Sequence, residues 1–266
     1  MRSYIFKICV GATISIFIAL YAINLLRLEN IISLESLYII GYGGLFTYDF
    51  DSNIVSFARV LVPQFIIIYL LADFMYNDFK ICSVYVFTRA NKRKYWFLKK
   101  FLSLLFITSL YYMAHFVILL VMGFLNGFRV ERFDVFIMVV VSSFVLHTLV
   151  GFLLVCSVNL LALKFGINFG YLCVLIFNTV FTMIPSVTYG LFDNVIIKIL
   201  PSSNGMLLGH SNDFVKDFSE RFGFDTIEGF SIIFSMTYFI VLILIIFYIG
   251  ARWIETLDII NDNKEA

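Results

Sequence analysis

Two groups of residues in this chain can bind or react. The first is a run of cations among aromatics. Asp78 to Phe101 holds Lys80, Arg89, Lys92, Arg93, Lys94, Lys99 and Lys100 against one acid, Asp78, interleaved with Val84, Tyr85, Val86, Phe87, Tyr95, Trp96 and Phe97. That mixture suits a segment that lies on a membrane surface and re-enters it. The second group is the few polar side chains inside apolar runs. His115 and His147 sit in the third and fourth runs and can face each other; the expectation is one interhelical hydrogen bond each rather than a metal or proton site. Asp73, about one turn from the basic segment, is expected to pair with a Lys or Arg of it. Arg59 is expected to snorkel from the start of the second run. Asn159, Asn168 and Asn178 are expected to bond across helices, and Pro63 and Pro185 can kink theirs.

Several chemistries lack their residues. The sequence has no G-x-x-x-x-G-K-[ST] phosphate cradle, no H-E-x-x-H and no G-x-S-x-G. Intramembrane proteases and transferases need costly polar groups kept inside the bilayer, and the candidates here are few; no catalytic residue and no metal ligand is predicted. Cys9, Cys82, Cys156 and Cys173 form no C-x-x-C pair and read as small buried hydrophobes.

The elements that position these residues follow from composition. Of 266 residues, 61% are hydrophobic and 14% charged, with mean hydropathy +0.96. A soluble domain is near half apolar and a quarter charged, so the chain reads as an all-α integral membrane protein. The net charge of +1 gives no overall pull toward nucleic acid. A bilayer core needs about 20 apolar residues as helix, and six segments qualify: Ile5–Leu26, Phe57–Tyr76, Phe101–Phe124, Val135–Leu163, Phe169–Tyr189 and Phe230–Trp253. The first is too long and too bulky for a signal peptide. Twelve Lys/Arg fall on one side and seven on the other, which predicts both termini in the cytoplasm. Residues 1–266 read as a single domain.

Three outer segments remain. Arg27 to Ser56 carries IISLESLYII, then GYGG, then aromatics around Asp49 and Asp51; the expectation is an interfacial helix and a loop, with a lateral gate or substrate contact as the functional alternative. Gly123 to Asp134 reads as a simple turn. Gly190 to Gly229 predicts short interfacial helices before the sixth span: an amphipathic Val195–Leu200 ended by Pro201, a PSSNG turn, and a helix capped by Ser211 or Asn212. That helix places Phe214, Phe218 and Phe222 at a spacing of four. It reads as a lid on the bundle or as part of a gate that contacts substrate.

The run LADFMYNDFKICSVYVFTRANKRKYWFLKKFLSLLF resembles permease subunits of type-2 ABC exporters. In that family an acidic residue closes the second helix, a short cytoplasmic coupling helix follows, and a pattern like T-R-x-x-S-R-x-x-[WY]-x-x-x-K opens the third. Asp78 matches the acid. Thr88, Arg89, Asn91, Lys92, Tyr95 or Trp96, and Lys99 or Lys100 match the pattern, with Asn91 in place of the usual Ser and without the Pro common near Ala90. The layout agrees along the whole chain, the motif only over this run. The resemblance implies a coupling helix from Phe79 to Lys94 that offers Phe79, Val84 and Phe87 as knobs to a groove, with Lys99 and Lys100 at the hinge-side end of the third helix. It implies a permease that is not itself an enzyme and binds no cofactor, with ATP and Mg on a separate ABC ATP-binding subunit. It also implies a second permease copy or paralogue, contact with membrane lipid, and a peptide or amphiphilic substrate moved by a bacterial cell membrane protein, as in bacteriocin or lantibiotic export or self-immunity. The competing readings are a membrane-embedded enzyme (protease or lipid-modifying transferase), which would need His115 or His147 near acids, and a secondary transporter or membrane anchor.

Overall fold

In the computed structural model, residues 2–45, 54–79, 93–189, 194–224 and 226–256 are described. Val84, Phe87, Thr88, Arg89, Asn91 and Lys92 of the basic segment, and Asp49 and Asp51 of the first outer loop, lie outside them. The described residues form eleven named helices and no strand: α1 Arg2–Ala12, α2 Ile14–Leu28, α3 Leu34–Tyr42, α4 Ile54–Leu71, α5 Arg93–Leu125, α6 Phe133–Phe165, α7 Ile167–Thr188, α8 Val195–Ile199, α9 Pro201–Asn204, α10 Asp213–Phe222 and α11 Ile232–Thr256. Six of the resulting spans are long and apolar enough to cross a membrane: Phe6–Leu28, Ile54–Phe79, Arg93–Leu125, Phe133–Phe165, Ile167–Ser186 and Ile232–Thr256. This is the layout of a multi-pass membrane protein.

α6 is the centre. It packs against α3, α4, α5, α7 and α11, and also touches α9 and α10. At 33 residues it is roughly 50 Å long, well over the ~30 Å hydrocarbon thickness. Only Gly166, at φ 93°, separates it from α7; that left-handed backbone is one few side chains tolerate.

The segment between the first and second spans departs from expectation. Instead of lying at an interface, α3 enters the bundle, and all nine of its residues are buried among α2, α4, α5 and α6. A helix of about 14 Å cannot span a bilayer, so both of its ends must find partners inside the protein. At the start, Ser33 Oγ accepts the Ser36 N–H. Glu35 Oε1 accepts the N–H groups of Glu131 and Arg132 at 2.9 and 2.7 Å, and Leu34 N–H donates to Arg129 O. The segment read as a simple turn is therefore a strap across α3. At the finish, the Arg59 guanidinium donates to Ile40 O and, at 2.6 Å, to Gly44 O. Arg59 is 6% exposed. It does not snorkel, because the last carbonyls of α3 reach it first.

The segment between the fifth and sixth spans forms a cap. Pro201 opens α9 at its first turn, where its missing N–H costs nothing, so PSSN is a helical turn rather than a loop. Asn204 Nδ2 donates to Lys198 O and Leu200 O. His210 is buried against the Phe230 ring, with centroids 4.2 Å apart. Its Nδ1 lies 3.0 Å from Leu207 O and so must carry the proton, since a carbonyl only accepts; Nε2 lies 2.8 Å from Ser235 Oγ. Asn212 holds the N-cap position of α10, but its Oδ1 accepts Ile232 N–H instead, joining the cap to α11. Leu208 N–H donates to Gly43 O, joining the cap to α3.

Candidate functional site

The root of the basic segment is a clasp. The helix leaving the second span over 74–79 and the start of α5 are held by an Asp78–Lys100 ion pair and by the Phe79 and Trp96 rings, 6.3 Å apart. Lys100 also stands over the Phe74 ring at 4.7 Å. Neighbouring spans join at the same level. Lys94 pairs with Glu255 of α11 at 2.9 Å, and Arg93 donates to Ile254 O and Glu255 O. Lys7 of α1 lies 4.0 Å from Asp73, and Tyr4 packs edge-on against Phe74. Among the described residues Asp73 thus pairs with Lys7 of the first helix. Of the matched residues, Asp78, Phe79, Trp96 and Lys100 meet in the clasp. Tyr95 is exposed and stacks under Lys99, at 4.6 Å.

Directly above the clasp the second span is broken. α4 ends at Leu71, residues 72 and 73 form a turn, and helix resumes at 74. In an unbroken helix Met75 N–H would donate to Leu71 O. Here Asn159 of α6 stands between them: its Oδ1 accepts Met75 N–H at 2.8 Å, and its Nδ2 donates to Leu71 O at 2.8 Å and to Val155 O at 2.9 Å. One amide replaces the helical bond and satisfies both groups the break sets free. The expected cross-helix asparagines therefore exist at Asn159 and at Asn178, whose Nδ2 donates to Gln64 Oε1 at 2.7 Å; Asn168 is exposed. Pro63 lies within α4, and its carbonyl accepts Tyr111 Oη–H at 3.0 Å.

Farther along α6 lies a buried polar layer. Thr108, Tyr112 and His115 follow one face of α5 at spacings of four and three, and Ser143, His147 and Gly151 follow one face of α6 at four and four. His115 Nδ1 is 3.0 Å from Tyr42 Oη of α3, which is 3.1 Å from Ser15 Oγ of α2. His147 Nδ1 lies against Ser143 O. Both imidazoles contact the rings of Tyr42 and Tyr112, with centroids 5.7–6.1 Å apart. His115 therefore makes the interhelical bond expected of it, and His147 bonds within its own helix. Gly151 admits Tyr112: a Cβ there would meet Tyr112 Cε2 at 2.4 Å and Oη at 2.8 Å. Elsewhere in the spans, hydroxyls turn back to the carbonyl four residues earlier, as Ser103, Ser109, Ser157, Thr179 and Thr237 do. Thr108, Ser143 and Thr148 do not, and their buried oxygens, with Tyr112 Oη and His115 Nε2, have no hydrogen-bond partner among the described residues. No group of three or more His, Cys, Asp or Glu able to hold a metal occurs among the described residues. Sequence reading saw the two histidines but not their companions, although the 108–112–115 spacing marks one helical face.

Phe214, Phe218 and Phe222 point into the bundle. Phe218 is buried, the other two are half-buried against the same core, and the Phe218 and Phe222 rings stack at 6.3 Å. Arg132–Asp217 and Arg221–Glu131 pairs at 3.1 and 3.8 Å hold α10 over the strap. No family model, curated protein or solved structure matches this chain.

Proposed function

We propose that this chain is the transmembrane subunit of an ATP-driven exporter of the type-2 ABC kind. It takes work from an ATP-binding subunit through residues 80–92, works with a second permease copy or paralogue, and moves a peptide or amphiphile, as in bacteriocin export or self-immunity. The supporting observation is the clasp. A segment whose two ends are fastened by Asp78–Lys100 and Phe79–Trp96, and tied by Lys7, Lys94 and Arg93 to α1 and α11, passes a push on its tip to four spans at once. The break bridged by Asn159 lies where such a push would bend the second span. The positive-inside count favours a cytoplasmic position for this face, where ATP is. The test is co-expression and co-purification with a cognate ATP-binding subunit: wild type should form a stable complex whose ATP hydrolysis the chain alone lacks, and Arg89→Glu with Tyr95→Ala should abolish it. An intact complex and intact transport in the double variant would defeat the reading.

The polar layer favours one second reading, a secondary transporter, because polar groups deep in a bundle mark ion and proton paths. Transport that follows an ion gradient, persists without ATP and is lost in His115→Phe would support it over the first.

A further inference from the structure

α7 and α11 both pack along α6, yet only 22% and 17% of the most apolar stretch of each is buried inside the protein. Between them, along α6, runs a cavity of about 350 Å³ lined by Leu154, Leu161, Val174, Phe177 and Ile246 and closed at one end by Pro201 and Ser202 of the cap. Its polar side chains are already engaged: Ser157 donates to Leu153 O, Asn178 to Gln64, and Ser202 to Phe181 O. The walls therefore ask for hydrocarbon. At the other end, Leu160 and Trp253 are shared with a second cavity of about 210 Å³, which Lys164 and Thr256 also line. The two form one groove that is apolar along its length and has a cation at its mouth.

On this face Lys7, Lys94 and Lys100 each have a carboxylate within 4.0 Å, and Arg93 donates to two carbonyls. Lys164 has no acid among the described residues; it rests over the Trp253 ring at 4.6 Å and the Phe165 ring at 5.2 Å. Tryptophan beside lysine is the pairing found at headgroup depth. From Leu153 to Lys164 the groove runs about 17 Å along the helix axis, close to one leaflet's ~15 Å share of the hydrocarbon core.

We propose that this groove is a seat for an anionic phospholipid of the bilayer, with one acyl chain between α7 and α11 and the phosphate on Lys164. The inference needs only the membrane spans and is independent of the exporter reading. Trp253 is its own reporter, since the chain has two tryptophans and Trp96→Phe removes the other. The full chain carrying Trp96→Phe would be reconstituted in phosphatidylcholine vesicles containing small fractions of brominated lipid, and quenching of Trp253 measured. Brominated phosphatidylglycerol should associate about fivefold more strongly than brominated phosphatidylcholine, the worth of one lysine against an anionic lipid. Lys164→Gln should bring the two to parity, and Ser157→Phe, which fills the groove, should weaken both. Equal quenching by the two lipids would overturn the headgroup assignment. So would a preference that survives Lys164→Gln. Quenching indifferent to Ser157→Phe would show ordinary boundary lipid and overturn the seat.

Discussion

Asn159→Leu isolates the bridge across the broken second span. The substitution keeps the branched side-chain shape and removes the amide that holds Leu71 O and Met75 N–H. The third bond, to Val155 O, matters least, because that carbonyl already serves the helix of α6. In a water-based reference, two orphaned buried groups cost about 1–3 kcal/mol each. Interhelical hydrogen bonds in membrane bundles are worth less, about 0.6 kcal/mol on average and ~1.7 at most, because chains unfolded in the membrane also find partners. Two bonds on that scale give about 1–3 kcal/mol, and this governs. Asn178→Leu, which breaks a single bond to Gln64, should lose about half as much. The assay is reversible unfolding in mixed detergent, with limited trypsin treatment of the basic segment alongside. Leu71 and Met75 can also heal the gap by bonding directly; the stability loss then shrinks, but the straightened span carries Asp78 away from Lys100, and trypsin should cut between residues 80 and 94 faster. Unchanged unfolding together with unchanged trypsin cutting would refute the reasoning.

Gly151→Ala should lower stability by about 1–3 kcal/mol through overpacking, since its methyl would fall 2.4 Å from Tyr112 Cε2; combining it with Tyr112→Leu should recover part of the loss in the same unfolding assay. Glu35→Ala should cost about 3 kcal/mol by stripping the Glu131 and Arg132 N–H groups of a charged acceptor, whereas Glu35→Gln, which keeps an acceptor oxygen, should cost less and leave the thermal midpoint between the two. Burial lowers the pKa of His210 to about 4 from its ordinary 6.5, partly opposed by the Leu207 and Met206 carbonyls. Between those values the unfolded cap binds a proton that the folded cap does not, so cap stability should be full above about pH 6.5 and fall as pH drops toward 4. Hydrogen exchange across residues 205–231 should quicken over that window, and His210→Asn should flatten the profile.

The spans were legible because about 20 unbroken apolar residues have few other uses, and all six stand where hydropathy put them. α3 was not legible. IISLESLYII carries one acid and two serines, which reads as a helix half in water. The features that let it sink are remote: one oxygen of Glu35, Oε1, is held by main-chain groups 96 and 97 residues away, and the carbonyls of Ile40 and Gly44 by Arg59. Arg59 was misplaced for the same reason; Pro201 does end the short helix before it, and only its second role, as the starter of α9, went unseen. The clasp was half legible, since the charges and rings of Asp78, Phe79, Trp96 and Lys100 stand out in the sequence. Their partners on α1 and α11 do not, because pairing between spans leaves no mark in local spacing. Asn159 was picked out as a cross-helix donor, but the break it bridges has no Pro or Gly to announce it.

The strap over α3 also sets a clock. The two N–H groups that complete the Glu35 site belong to residues 131 and 132. At roughly 5–20 residues per second, they leave the ribosome about 5–20 s after Glu35 does. For that interval a nine-residue helix too short to span waits with a bare carboxylate and must stay at the aqueous rim, so the first two spans enter the membrane as an unfinished hairpin. Nascent chains stalled with residue 120 at the ribosome exit should leave residues 30–45 open to added protease, and chains stalled past residue 170 should protect them.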